Sequence, residues 1–429
     1  MNKLLSIIYI VFCSTIFSQE TPGSIQQKSI LLIDGTAHIG NGQVIKRSAI
    51  GIENGKITMV ENSLVRTIDT SNYDEIIHIK GKHIYPGFIA CNSTLGLMDI
   101  GAVRASRDLY EVGEFNPNIR SIIAYNTDSK ITTTVRTNGI LLGQICPKGG
   151  VISGSSSLVQ FDAWNWEDAL IKADEGIHLN WPRYYNRSKK DKSQLLSHYQ
   201  KGKKEIIDFF NRAFVYQKDS ETATTNIRLK AMKGLFNGTQ QLYVHANYIK
   251  EITDIIDFKK EFNLSKLCII GGYDSWMVAK QLKENNISVM LPRVHSLPKN
   301  NHDNIHLPYS LPAKLAESGV LFCIQNSGDM QEMITRNLPF MVGTAVAYGL
   351  DYETGVASIT LNAAKILGVD DKLGSLEIGK DATLFVSKGD AFDIKTNKVE
   401  LSLINGRIIS LNNDQIRNYN KYKKKFNLD

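Results

Sequence analysis

Short apolar runs, punctuated by Gly, Asn and Pro, mark both ends of this chain. Near the front, residues 30–33, 49–52 and 56–60 read as strands. Asn54-Gly55 lies between two of them as a two-residue hairpin turn. Near the back, residues 383–386, 401–404 and 407–409 repeat the pattern, with Asn405-Gly406 as the turn. Asn-Gly tolerates the left-handed backbone that a tight hairpin requires, so both pairs predict hairpins. Each β segment alone is too small to bury a core, so the pattern predicts one β domain built from both chain ends.

The long middle has a different rhythm. Apolar strand-like runs at residues 85–90, 132–135, 139–145, 242–246, 267–271, 288–291 and 321–325 are interleaved with helical patterns at 251–262, 275–284 and 311–318. Strand alternating with helix predicts a parallel α/β architecture. Eight clean repeats cannot be counted from the pattern alone.

Bulk properties narrow the class. The 429 residues, 42% hydrophobic and 22% charged, suffice for a barrel of about 250 residues and a second small domain. The net charge of +7 is partly concentrated in Lys189–Lys192, Lys201–Lys204 and a basic C-terminal tail, residues 416–429. These runs read as solvated surface. No basic face or nucleic-acid module is present, which argues against a nucleic-acid partner. Residues 1–18 carry Lys3 followed by an apolar stretch too short for a comfortable span, the pattern of a secretory signal peptide. The expectation is a secreted or periplasmic protein with no stable membrane span after cleavage. The four remaining cysteines, Cys91, Cys146, Cys268 and Cys323, lack Cys-x-x-Cys spacing and are expected as buried free thiols.

The stretch Tyr85-Pro86-Gly87-Phe88-Ile89-Ala90-Cys91-Asn92-Ser93-Thr94 changes the picture. It resembles the first barrel strand of the amidohydrolase superfamily, in which a Pro-Gly-aliphatic run leads into Asp-x-His-x-His. Residues 358–368 with Gly374-Ser375-Leu376-Glu377-Ile378-Gly379-Lys380 resemble the last barrel helix and the return to a small β domain, and residues 50–57 resemble the family's N-terminal hairpin. Within the superfamily, the resemblance is to imidazolonepropionase-like and secreted bacterial members. It implies a TIM-like (β/α)8 barrel over residues 85–372 and a β-sandwich domain over 19–84 and 373–415. It also implies hydrolysis of carbon–nitrogen bonds by a Zn or other divalent metal.

The implied metal ligands are largely missing. Ala90, Asn92 and Thr94 stand where strand 1 would offer Asp, His and His; Gly271 stands for the strand-6 His, and Ser327, beside Asn326, for the strand-8 Asp. Only His245, on strand 5, is retained, and no bridging Lys is identified. Asn, Thr and Ser are weak ligands for transition metals, so no metal cofactor is expected unless the family site works in another form. His245 is either a hydrogen-bonded relic or a retained functional group. Tyr273 and Asp274 either contact a ligand or cap the helix from Ser275. The Gly/Ser-rich stretch 148–157 reads as a loop, Trp164, Trp166 and Trp181 as packing, and His295, His302 and His306 as a solvated loop. The expected cleft is polar and nearly uncharged, suited to a small neutral ligand. Two functional classes stay open: a non-catalytic relative that binds a ligand or supports an intact paralogue, as homo-oligomer or heteromer, and a divergent hydrolase.

Overall fold

The computed structural model describes residues 22–184, 192–218 and 225–428; the segment read as a signal peptide lies outside them. Strands from both chain ends join one sheet. β1 (Ile30–His38), β2 (Val44–Glu53), β3 (Lys56–Asn62), β4 (Glu75–His78) and β5 (His83–Pro86) are followed, after the barrel, by β14 (Leu384–Ser387), β15 (Val399–Ile404) and β16 (Arg407–Ile408). Their order is β16-β15-β14-β5-β1-β2-β3, with β4 also on β1. The β5–β14 pairing ties front to back, Tyr85 facing Phe385. Ile30, Leu32, Ile50, Ile84, Leu384 and Leu403 form its separate core. Asn54 and Gly55, and Asn405 and Gly406, all have φ between 50° and 78°, as hairpin turns of this kind require.

The second sheet is the barrel: β6 (Phe88–Ser93), β7 (Ile140–Ile145), β8 (Ile152–Gln160), β9 (Leu170–Asn180), β10 (Gln241–Ala246), β11 (Leu267–Gly271), β12 (Ile287–Leu291) and β13 (Phe322–Ile324), adjacent in that order. The fold is a nearly closed eight-stranded α/β barrel beside a second sheet. Between β13 and β6 no pairing closes the sheet among the described residues; Ile89 N donates instead to Ile359 O, just past the helix Tyr352–Ser358, at 2.9 Å. The predicted strand at 85–90 divides at Pro86-Gly87, so Tyr85 and Pro86 belong to the first sheet. A Cβ at Gly87 would meet Thr383 Cγ2 at 2.9 Å, so only glycine lets the chain cross there.

Two further expectations fail. Residues 132–135 lie in the helix Lys130–Arg136, not in a strand. Ser129 caps its first turn, and Thr132 and Thr133 turn their hydroxyls back onto Ser129 O and Lys130 O. The barrel is also not wholly parallel: β8 runs antiparallel to β7 and β9. Residues 146–151 and 161–169 are too few for the crossovers that parallel pairing needs, so the chain turns back as hairpins. The Gly/Ser stretch therefore supplies strand from Ile152 onward and loop only before it.

Candidate functional site

In a barrel of this kind the side chains at the C-terminal strand ends carry function. Asn92 and Thr94 lie at the end of β6, His245 on β10, Gly271 at the end of β11, and Asn326 and Ser327 just beyond β13. The structure gathers them at one mouth but at two depths. His245, Gly271 and Ser327 line an open cleft of about 1000 Å³. Asn92 and Thr94, 1% and 0% exposed, lie outside that lining.

Their partners explain why. Asn92 Oδ1 accepts from the ammonium of Lys148 at 2.9 Å, and Asn92 N donates to Gln144 Oε1 at 2.9 Å. Asn92 has φ 49°, a left-handed backbone that Asn tolerates better than most residues. Thr94 Oγ1 donates to the buried Glu332 carboxylate and accepts from Gln331 Nε2 at 2.7 Å. Burial pulls the Lys148 amine below its usual value, partly offset by Cys146 and Glu332 nearby. The strand-1 positions are thus committed to a lysine from the loop after β7 and a glutamate from the helix Gln331–Ile334.

Below His245 runs a buried polar chain. His245 Nε2 lies 3.1 Å from His178 Nδ1, and His178 Nε2 lies 2.9 Å from Ser156 Oγ. Ser156 donates to Glu175, which also accepts from Gln144 Nε2 at 2.7 Å and Tyr243 OH at 2.6 Å. With Glu175 ionised and Ser156 donating to it, Ser156 accepts from His178 Nε2–H and His178 Nδ1 from His245 Nε2–H, which leaves a lone pair on His245 Nδ1. Burial raises the Glu175 carboxyl, and its protonated form would donate to Ser156 and reverse the chain. Burial, helped by Lys148, pulls His245 down to about 3, and burial with His245 and Lys148 pulls His178 well below its usual range. Both rings are neutral at physiological pH.

The cleft itself is not uncharged, contrary to expectation. Arg183, Arg293 and Lys299 line it, supplied by the β9 and β12 ends and the loop after β12, rather than by the ligand positions. Glu251, the acidic residue among the described lining, is occupied by the backbone N–H groups of Tyr184, Asn247 and Tyr248. Arg293 Nη2 donates to Asp329 O at 3.0 Å, but its buried Nε has no partner among the described residues, nor has the buried Asn247 Oδ1. Buried polar groups are normally hydrogen-bonded, so these two stand out beside the cleft.

The remaining candidates hold hydrogen bonds within the fold, and His295 and Trp181 also line the cleft. Tyr273 OH donates to Asp303 at 2.7 Å, and Asp274 accepts from Ile249 N at 3.0 Å, capping a helix other than its own. Asn326 Nδ2 donates to Gln331 O at 3.1 Å, within the loop after β13. His295 bonds Thr344, His302 faces solvent beside Asp303, and His306 precedes the helix Leu307–Ser318. Trp181 is buried and donates to Tyr199 OH at 3.2 Å. All four cysteines are free and buried.

The family's divalent metal does not fit these residues. Among the described residues no group of three His, Cys, Asp or Glu side chains could hold an ion. His178 and His245 are bonded to each other, and the strand-1 position contacts an ammonium. A dication beside the protonated Lys148 amine would meet charge repulsion in place of a ligand. Nor can Gly271 be exchanged for a ligand in place. It has φ 103°, and a Cβ there would lie 2.7 Å from Ala246 O.

Comparison with known proteins places this architecture. The profile of the amidohydrolase family matches residues 190–410. An imidazolonepropionase from Symbiobacterium thermophilum is 21% identical over 371 residues, covering 80% of this chain and 84% of its own. The crystal structure of an amidohydrolase from Thermotoga maritima superposes with a TM-score of 0.76 at 23% identity, covering 88% of this chain and 99% of its own. A Xaa-Pro dipeptidase with methionine bound in its active site gives 0.54 at 14% identity, covering 89% and 99%.

Proposed function

The chain belongs to the amidohydrolase family, and from that premise we propose that it is a metal-independent member whose barrel-mouth cleft binds a small carboxylate-bearing molecule of the amino-acid or dipeptide class. One observation carries the reading: the Lys148 ammonium rests on Asn92, where the family pattern calls for a metal-binding imidazole. The fixed cation does not activate water as a Lewis acid would, so the site keeps recognition and loses the inherited source of hydroxide. For recognition, the Arg293 guanidinium lines the cleft as a cationic donor for a carboxylate, and its buried Nε–H and the buried Asn247 Oδ1 would pair with a ligand on a small side-chain shift. The basic lining favours an anion over the neutral ligand expected from the ligand positions alone. The methionine in the dipeptidase structure is a ligand of this class.

A second reading, a metal-free hydrolase of carbon–nitrogen bonds, is favoured by the neutral His245 ring at the cleft. His245 would there take a proton from water. The N-terminal segment supports a role outside the cytoplasm, where the protein acts alone, as a homo-oligomer or beside an intact paralogue.

Calorimetry with a panel of free and N-acylated amino acids and dipeptides tests the binding reading. We expect binding that falls about thirtyfold or more in Arg293→Met, the loss of one charge-assisted hydrogen bond at about 2 kcal/mol. Ligands amidated at the carboxylate should bind no better than to that variant. Equal affinity for acid and amide would refute the reading, and His245-dependent turnover of the panel would favour the second.

A further inference from the structure

The C-terminal tail, read from sequence as a solvated basic run, is a formed helix, Asp414–Lys425, capped by Asn413, whose side chain accepts from Ile416 N at 2.9 Å. None of its residues is buried. Its apolar side chains nevertheless fall on one stripe. Ile416, Tyr419 and Tyr422, with Phe426 just past the end, follow at intervals of three and four, the spacing that aligns one helical face. They are 37%, 66%, 54% and 60% exposed, and Leu428 beyond them is 62% exposed. Tyr422 and Phe426 already stack on one another, ring centroids 6.5 Å apart.

The rest of the helix is strongly basic. Arg417, Lys421, Lys424 and Lys425 fall on the face away from the stripe, and half-buried Lys423 interrupts it between Ile416 and Tyr419. Only Asp414, in the first turn, opposes them within the helix, and it pairs with Arg417. A helix with aromatic and aliphatic side chains on one side, cations on the other and low overall hydrophobicity is built to lie in an interface, not to cross it. Tyrosine suits the boundary between headgroups and acyl chains, and lysines beside the stripe reach up to phosphates along their own methylenes. Among the described residues no helix is long and apolar enough to span a membrane, so a surface position is the one open to it.

We propose that the helix Asp414–Lys425, with Phe426 and Leu428, docks this protein on an anionic phospholipid surface. Charge complementarity selects that occupant. A second copy would present the same row of lysines and be repelled, whereas an anionic bilayer offers both the countercharge and the apolar depth for the stripe. The barrel mouth and the tail are separate features, so this holds whatever the cleft binds.

Vesicle sedimentation with the purified mature protein tests it, comparing pure phosphatidylcholine with a 7:3 mixture of phosphatidylcholine and phosphatidylglycerol in about 0.1 M salt. We expect at least tenfold stronger partitioning onto the anionic vesicles, largely lost in 0.5 M NaCl. Two variants, Tyr419→Ser/Tyr422→Ser/Phe426→Ser and Lys421→Gln/Lys423→Gln/Lys424→Gln/Lys425→Gln, should each weaken it tenfold or more. All these side chains but half-buried Lys423 are exposed, so thermal unfolding should match the parent and certify that the body is folded. Equal binding to the two vesicle types, no binding to either at millimolar lipid, or undiminished binding by the aromatic variant would overturn the proposal. So would sedimentation-equilibrium self-association abolished by the aromatic variant while vesicles are ignored, since the stripe would then serve a second copy.

Discussion

Acidification should destabilise this protein through His245. An unperturbed imidazole titrates at 6.5, whereas burial, helped by the Lys148 charge, pulls His245 down to about 3. Between those values the unfolded chain binds a proton that the folded chain refuses. Stability therefore rises with pH through this window, is lost as pH falls below 6.5, and stops falling below about 3. At pH 5 the gap already spanned is about 1.5 units, or about 2 kcal/mol at 1.36 kcal/mol per unit. That is a ceiling, because part of the ring borders the cleft and water screens it there. His178, pulled down in the same direction, adds to the loss. The assay is urea unfolding of wild type and His245→Gln at pH 7.5 and 5.0, followed by circular dichroism. A glutamine side chain takes up no proton in this range, so the variant should lose up to about 2 kcal/mol less than wild type between the two pH values. An identical loss in both proteins would show that His245 is not held neutral by its surroundings.

Two further outcomes follow from the strand ends. Gly271→Ala should destabilise the fold by about 2 kcal/mol or more, since alanine must adopt φ 103° and meet Ala246 O; a melting temperature equal to wild type would refute that strain. The double variant Asn92→His/Thr94→His should show no zinc-dependent hydrolysis of a dipeptide panel above wild type. Its new imidazoles would confront Lys148 and Glu332, and the strand-6 and strand-8 ligands would still be absent; turnover dependent on added zinc would contradict this.

The barrel was legible where local chemistry decides the outcome. The apolar runs of β10, β11 and β12 stand within a residue of where the pattern puts them, whereas the pattern reads straight through the break at Pro86-Gly87 as one continuous strand. The stretch at 132–135 misled because β-branched Thr and Val favour strands by intrinsic preference, while the Ser129 cap and tertiary packing hold a helix. The interior of the site was not legible for another reason. Lys148 meets Asn92 across 56 residues and His178 meets His245 across 67, and no local periodicity encodes such pairs. A weak signal existed: Lys148 directly precedes a Gly-Gly pair just after a strand, where a long side chain can turn inward. Arg293, at the end of β12, carried the same kind of signal, a charge directly after an apolar run.

The central claim is that the Lys148 ammonium, not a divalent ion, occupies the heart of this barrel mouth. Elemental analysis by inductively coupled plasma mass spectrometry tests it most directly, on protein incubated with Zn, Mn, Fe or Ni and then dialysed. The arrangement of Lys148, Asn92, Thr94 and Glu332 predicts well under one metal per chain for every ion offered. One equivalent retained through dialysis, and lost on Asn92→Ala or His245→Ala, would contradict it.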